Sequence, residues 1–299
     1  MQGESEGRPG FGALPFAIGA VLCWSTVATA FKLTLRVLDP FQMLLVASWA
    51  SLAVLGLALL IRREPRFGAP ASARELGLAA LSGLLNPLLY YLVLFTAYDL
   101  LPAQQAQPLN YTWALALAVL SAPLLGRPVP RRAFAGLAVG LVGVGVVATR
   151  LQPSAVAKTD LAGILLAAGS GVVWASFWVV NLRRSGSPLA KIFWSFVFGA
   201  PAVTVAWAAL SSTEAMTLTG IAGGSYIGVF EMGIAFVLWL TAMDRAPNPG
   251  LIGNVAYLAP FLSLLPIHFV LGEHIHWTAA AGLALIVAGI VVCGRSSDT

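Results

Sequence analysis

The chain has 299 residues, of which 59% are hydrophobic and 10% are charged, and its mean hydropathy is +0.86. This composition excludes a water-soluble domain and indicates an integral membrane protein. The net charge of +5 does not indicate nucleic-acid binding, because the basic residues lie at the edges of apolar runs, where they orient a membrane protein.

Ten apolar runs lie between charged residues, Pro and Gly, and most approach the about 20 residues that cross a bilayer as helix. We therefore predict an all-α transmembrane fold of ten helices. The predicted spans are Gly12–Phe31, Phe41–Ile61, Leu76–Ala97, Leu101–Leu125, Phe134–Thr149, Leu161–Leu182, Leu189–Leu210, Ile221–Met243, Gly250–Leu271 and Trp277–Cys293.

The fourth of these spans carries unusually many polar residues. Gln104, Gln107 and Tyr111 are spaced three and four apart, which places them on one face of a helix. Pro108 lies among them, and proline removes a backbone donor and clashes with the carbonyl four residues earlier. We predict a helix that is kinked or locally opened at the depth where its side chains turn polar, with its polar face enclosed by the other spans.

The distribution of Lys and Arg predicts the orientation. With the N-terminus in the cytoplasm, 13 of the 17 basic residues fall on that side and four on the other: Lys32, Arg36, Arg150 and Lys158. This bias predicts that both termini are cytoplasmic. Lys32 lies at the end of its span, where we expect it to extend to the membrane interface rather than into a cavity.

Short motifs recur in the two halves of the chain. Asp99 with Pro102 returns as Asp244 with Pro247 at an offset of 145, Gly126 with Gly136 returns as Gly272 with Gly282 at 146, and Gly19 with Trp24 returns as Gly169 with Trp174 at 150. Five spans per half is an odd number, so the copies would have opposite orientations, as in the inverted repeats of secondary transporters. Chance resemblance between apolar helices is the alternative.

The predicted organisation follows from this repeat. Residues 1–11 form a cytoplasmic N-terminal tail, 12–150 the first five-helix repeat and 151–160 a connecting loop. Residues 161–293 form the second, inverted five-helix repeat, and 294–299 a cytoplasmic C-terminal tail. The two repeats would surround a central cavity.

Polar and aromatic residues lie at mid-span in six helices, three in each half, and these six are predicted to line the cavity. The candidate substrate-binding residues are Trp24, Asn86, Tyr90, Gln107, Tyr111, Trp174, Trp178, Glu231 and Tyr257. Recurrence at the same depth in both halves favours a pocket. For any single aromatic residue, helix packing is the alternative.

Glu231 is the acid placed at mid-span, and it corresponds to Asn86 at the offset of 145. A charged side chain at the bilayer centre costs about 2.5–3.5 kcal/mol on insertion scales, so it should face water or a partner, or be protonated. Three interpretations stay open. Glu231 binds the amino group of a substrate, carries a coupled proton, or is a structural acid hydrogen-bonded to a neighbouring helix.

Motifs of enzymes and nucleotide-driven pumps are missing from the sequence, which contains no His-Glu-x-x-His, no Gly-x-Ser-x-Gly and no phosphate-binding loop. Cys23 and Cys293 are far apart and have no metal-ligand neighbours. We predict no enzymatic activity, no metal and no cofactor. Gly136 and Gly140 start a small-residue face that permits close helix approach, within the protomer in preference to another copy.

Several motifs resemble the drug/metabolite transporter superfamily, and within it the EamA-type exporters. The residues on which this resemblance rests are Trp24-Ser25-Thr26, Trp174-Ala175, Leu271-Gly272-Glu273, Gly282 and Gly289. Asn110-Tyr111-Thr112-Trp113 is similar to a stretch of the YddG group of aromatic amino acid exporters. There are two departures. Ala114 stands where that group usually has Pro, and Arg127 replaces, in the first half, the acid seen at Glu273.

The resemblance implies efflux of aromatic amino acids or similar metabolites across the bacterial inner membrane by alternating access. Its partners would be a small-molecule substrate and membrane lipid, and the oligomeric state is left open. A carrier of drugs or other small metabolites with the same fold is the nearest alternative. A membrane receptor that binds a ligand without transporting it is a second alternative.

Overall fold

The computed structural model describes residues 12–124, 131–149, 158–212, 214–246, 252 and 254–294. The predicted N-terminal tail, most of the connecting loop and residues 295–299 of the C-terminal tail lie outside these described residues. Arg127, Pro247 and Gly250 lie outside them as well.

The described residues form helices and contain no β-strand, which confirms the all-α prediction. The helices are α1 (Ala13–Thr34), α2 (Pro40–Ile61), α3 (Ala73–Leu100), α4 (Ala103–Asn110), α5 (Trp113–Leu124), α6 (Arg131–Thr149), α7 (Lys158–Leu182), α8 (Pro188–Leu210), α9 (Leu218–Arg245), α10 (Ala259–Leu271) and α11 (Trp277–Gly294). Six of them, namely α1, α2, α3, α7, α8 and α9, are long and apolar enough to cross a membrane.

Helix starts follow from capping residues in the sequence. The Asp39 side chain accepts hydrogen bonds from the backbone amides of Phe41 and Gln42. The side-chain oxygen of Gln42 in turn accepts a hydrogen bond from the Asp39 amide. At the start of α8, Ser187 caps the amide of Ala190, and Pro188 occupies the first helical position. A capping side chain satisfies free amides, and proline fits the first turn, so both helices begin where the sequence favours them.

Two of the long spans widen into a π-helical turn near their middle. The turns are Leu84–Leu89 in α3 and Ile227–Ile234 in α9. In α3 the change coincides with Pro87, and the preceding Asn86 has an extended backbone with φ −149° and ψ 117°. Such turns occur often at functional sites.

The fourth span is interrupted within its polar stretch, shortly after Pro108. Pro108 lies within α4, and the break comes after Asn110, at Tyr111 and Thr112. There the backbone forms a tighter turn with hydrogen bonds between residues three apart. The Tyr111 amide donates to the Pro108 carbonyl, and the Thr112 amide donates to the Leu109 carbonyl. Helix α4 continues past the proline, so the opening lies three residues after Pro108, within the polar stretch where a kink or an opening was predicted.

Helix packing is dominated by contacts that bring distant parts of the chain together. Helix α1 packs against α9 and α10, while α7 packs against α3, α4 and α5. Helix α2 packs against α8 and α9, and α3 packs against α8. Helices α6 and α11 form a close pair at one side of the fold.

Glycines allow the close approach of α6 and α11. A methyl group at Gly143 would lie 2.6 Å from the carbonyl oxygen of Gly282, and one at Gly289 would lie 2.5 Å from the carbonyl oxygen of Gly136. Both are contacts with backbone, which cannot move aside as a side chain can. The small-residue face therefore packs within the protomer, as the sequence favoured.

We predict that Gly143→Ala destabilises the protein by about 1–3 kcal/mol, because the added methyl group forces two backbones apart. Gly145→Ala is the matched control, since nothing lies within 4 Å of a methyl group there. Alanine should stabilise that helical position slightly, by up to about 1 kcal/mol. Thermal unfolding in detergent compares the two variants, and equal melting temperatures would contradict the proposed contact.

Candidate functional site

The middle of the helical assembly encloses a cavity of about 420 Å³. Its described lining residues come from α1, α3, α4, α5, α7 and α9, with Pro188 at the start of α8 and Ala256 just before α10. None of these residues belongs to α2, α6 or α11. The volume falls in the range of about 300–1,000 Å³ that is typical of small-molecule sites.

Ten of the twenty described residues of the cavity wall are aromatic. They are Trp24, Phe31, Tyr90, Tyr98, Tyr111, Trp113, Trp174, Trp178, Phe236 and Trp239. Trp174 is central, with its ring centroid 4.5 Å from that of Tyr90 and 5.8 Å from that of Phe236. Trp24 lies 5.3 Å from Trp239 by the same measure. These separations are those of favourable aromatic pairs.

Tyrosine hydroxyls on α3 hold the side-chain amides of α4. Tyr98 donates to Oε1 of Gln107 at 2.6 Å, and Tyr90 donates to Oδ1 of Asn110 at 3.3 Å. The Asn110 amide in turn donates to the hydroxyl of Ser170 on α7 at 2.8 Å. The three helices are thus joined by buried polar contacts, which fix the orientation of the amide groups in the wall.

Glu231 is the one carboxylate, and neither Lys nor Arg occurs, among the described residues that line the cavity. The side chain is 9% exposed, and its Oε1 accepts a long hydrogen bond of 3.4 Å from the hydroxyl of Tyr91. Its Oε2 has no partner among the described residues. The cavity therefore offers an unpaired acceptor to a bound amine or to a proton.

The structure brings seven of the nine predicted site residues to the cavity wall. They are Trp24, Tyr90, Gln107, Tyr111, Trp174, Trp178 and Glu231. Asn86 and Tyr257 are not among the described lining residues. Asn86 is fully buried in the π-helical turn of α3, and neither its amide nitrogen nor its amide oxygen has a partner in the described part of the chain. The adjacent Ala256, rather than Tyr257, lies on the wall.

Several residues of the cavity wall were not predicted from the sequence, among them Tyr98 and Trp239. Each lies eight residues after a predicted site residue, Tyr98 after Tyr90 and Trp239 after Glu231. Eight residues are close to two helical turns and return to the same face. Continuing each polar face for two more turns would have found both.

The two ends of the cavity differ in exposure. Phe31, Tyr98 and Gln107 at one end are buried, whereas Pro188 is exposed and Met243 is half-buried at the other. Among the described residues, the cavity is therefore closed at the first end and open towards the second. That end carries the α7–α8 connection, which the distribution of basic residues predicts to be cytoplasmic.

Gly272 and Glu273 explain one of the sequence motifs at the closed end. Gly272 ends α10 with φ +71°, a conformation that favours glycine. The chain turns so that the Glu273 carboxylate accepts the backbone amides of Ala103 and Gln104, at 2.9 and 3.2 Å. Glu273 thus caps the N-terminus of α4, where a negative charge is favourable.

Lys32 also lies at the closed end, where it is half-buried and is not among the described residues that line the cavity. Its Nζ donates to the carbonyl oxygens of Tyr98 at 2.7 Å and of Leu101 at 3.1 Å. These carbonyls end α3, where a positive charge is favourable. A partner 66 residues away in the chain determines the position of the side chain.

An apolar helical assembly of this kind, with a cavity open at one end, has the architecture of a multi-pass membrane transporter. The chain belongs to the EamA-like transporter family, whose model matches residues 11–149 and 161–295.

Two relatives and one solved structure describe the similarity further. The aromatic amino acid exporter YddG of Ancylobacter novellus is 28% identical over 286 residues, which are 94% of each chain. An uncharacterized transporter of Clostridium kluyveri is 22% identical over 85% of this chain and 83% of that protein. A protein of known crystal structure has the same fold, with a TM-score of 0.66 and 24% identity over 94% of this chain and 96% of the other.

We predict that Trp174→Ala lowers the free energy of unfolding by about 3–5 kcal/mol, because Trp174 is 9% exposed and packs against four rings. Trp277→Ala is the control, since Trp277 is 63% exposed. Unfolding in detergent measures both variants. A Trp174→Ala protein as stable as the control would contradict the central packing role of Trp174.

Proposed function

We propose that this protein is a secondary transporter that exports amino acids, in particular aromatic ones, across the bacterial inner membrane by alternating access. The observation that carries the proposal is the cavity wall, whose described residues include ten aromatic side chains and one acid, Glu231, and which is closed at one end. Indole and phenyl groups stack on such a wall, and each contact contributes about 0.5–1.5 kcal/mol beyond area burial. The aromatic amino acid exporter among the relatives supports this choice of cargo.

The amino acid head group would be bound by polar groups of the wall. Glu231 offers an acceptor to the ammonium group, and Gln107 offers amide N–H donors to the carboxylate, because Tyr98 already occupies its oxygen. Trp24, Tyr90, Tyr111, Trp174 and Trp178 would surround the side chain. Asn86 and Tyr257 stay predicted members of the site that lie outside the described lining.

Helix contacts support the proposal of two inverted repeats, over residues 12–150 and 161–293. Pairing the spans in order, α1 corresponds to α7, α2 to α8 and α3 to α9, while α4 with α5 corresponds to α10. Each contact then has a counterpart: α1 packs on α9 as α7 packs on α3, and α1 packs on α10 as α7 packs on α4 and α5. Asn86 and Glu231 also both lie in π-helical turns. The two separate family matches agree with this division.

A second cargo class is favoured by one feature of the wall. It has no Lys or Arg among the described residues, so the carboxylate of an amino acid would meet only neutral donors. An amine without a carboxylate, as in many drugs and small metabolites, would need no positively charged partner in the wall. Export of such amines is therefore the alternative function with the same fold. A receptor with the same pocket would bind such ligands without flux.

The experiment that tests the proposal is uptake and counterflow of labelled tryptophan, phenylalanine, threonine and alanine in proteoliposomes containing only this protein. We expect saturable flux of tryptophan and phenylalanine that exceeds the flux of the other two, because only aromatic side chains stack on the wall. An imposed pH gradient that changes the rate would support proton coupling through Glu231. Saturable binding without flux of any compound would contradict a transporter and support a receptor.

We further predict that Trp24→Ala raises KM for tryptophan by about two- to tenfold, the equivalent of one stacking contact. Trp24 is half-buried and contacts fewer rings than Trp174, so its removal tests the pocket with less damage to packing. Trp277→Ala serves as control, since Trp277 is 63% exposed. An unchanged KM in Trp24→Ala would remove this residue from the binding site.

A further inference from the structure

The closed end of the cavity is sealed by an aromatic contact between α1 and α3. The Phe31 ring lies 5.2 Å from that of Tyr98 and 4.8 Å from that of Phe95, centroid to centroid. All three side chains are almost completely buried. For a molecule in the cavity to leave at this end, Phe31 and Tyr98 must separate.

Polar contacts connect the same elements directly beyond this aromatic contact. Lys32 follows Phe31 in the chain and binds the backbone carbonyl of Tyr98 itself, so α1 cannot leave α3 without breaking this bond. Glu273 holds the first two amides of α4, on the other side of the same α3–α4 corner.

The Gln104 side chain extends this contact into the α10–α11 loop. Its amide donates to Glu273 Oε2 at 3.3 Å and to the carbonyl of His274 at 2.9 Å, and its Oε1 accepts from the amide of His276 at 2.8 Å. The α3–α4 corner is thereby bound by the cation Lys32 at the C-terminus of α3 and by the anion Glu273 at the N-terminus of α4. Each charge interacts favourably with the dipole of its helix.

We propose that Lys32 and Glu273 form a clasp that keeps this end of the cavity shut and so sets the balance between access from the two sides of the membrane. The clasp extends the alternating access proposed above. Its bonds join α1 and the α10–α11 loop to the α3–α4 corner, and these are the elements that must part for an exit. Lys32 and Glu273 both bind backbone groups at the α3–α4 corner. A small displacement of this corner therefore breaks several hydrogen bonds together.

The test measures access to the cavity and needs no cargo. A reporter thiol is introduced by Val27→Cys, at a buried wall position, with Cys23 and Cys293 replaced by Ser. A membrane-impermeant thiol reagent is added to one side of vesicles of known orientation, and the labelling rates from both sides are compared. The unsubstituted clasp should allow labelling from the open side and only slow labelling from the closed side.

In Lys32→Met and Glu273→Gln we expect labelling from the closed side to rise about tenfold, since one hydrogen bond to a charged group shifts an equilibrium by about that factor. Labelling from the open side should persist, and thermal unfolding in detergent at the melting temperature of the parent reporter would show that the variants are folded. Arg36→Met is the matched control: Arg36 is an exposed cation one turn after Lys32, and its removal changes the surface charge but no clasp bond.

Two results would overturn the clasp. One is closed-side labelling in both variants equal to that of Arg36→Met, with open-side labelling intact. The other is equal labelling of the parent reporter from both sides. Neither result depends on transport, so a protein that moves no aromatic amino acid in proteoliposomes can still support the clasp, and a transporter of these amino acids can still refute it.

Discussion

The interruption of the fourth span is the constraint on which the rest of the structure depends. A helix that starts or ends inside an apolar assembly leaves backbone amides and carbonyls without partners, and each costs several kcal/mol in hydrocarbon. Helix α4 has eight residues, all of them buried, so both of its ends require partners from elsewhere in the chain. Glu273 supplies them at the start, and the tightened turn at Tyr111 and Thr112 supplies them at the end. The short helix is thereby held where its amide side chains reach the cavity.

Packing around this helix follows from the same requirement. Gly171 lets α7 approach the break so closely that a methyl group there would lie 2.8 Å from the amide nitrogen of Trp113. On the opposite side, Tyr90 and Tyr98 of α3 use their hydroxyls on Asn110 and Gln107. Every one of these tyrosines therefore has two functions: its ring forms the wall of the cavity, and its hydroxyl satisfies an amide that the wall would otherwise leave unpaired.

The sequence predicted the parts of this structure that depend on local pattern. Hydropathy placed the spans, and the mid-span residues indicated which helices face the cavity, because a helical face repeats at a known spacing. The sequence could not predict contacts between distant segments. The sequence shows Lys32 only as a lysine at the end of a span, and its bond to the Tyr98 carbonyl is seen only in the structure. Likewise, the sequence shows Glu273 only as part of a family motif, and its bond to the α4 amides is seen only in the structure. Pro108 is a local signal of a break, but the sequence does not show that α4 continues past the proline to Asn110 or that α7 approaches the following turn at Gly171.

In the proposed transporter, chemical differences between the two halves would set the relative populations of the two access states. In the proposed inverted repeat, exchanging the conformations of the halves converts access from one side into access from the other, and identical halves would make the two states equal in energy. The halves are not identical. Glu231 corresponds to the neutral Asn86, and the capping acid Glu273 corresponds to Arg127, whose charge is opposite. An arginine cannot accept hydrogen bonds from helix amides, so the cap made by Glu273 has no chemical equivalent at Arg127. In the proposed mechanism the two access states would therefore differ in energy even without cargo, and the capped end is the one found closed.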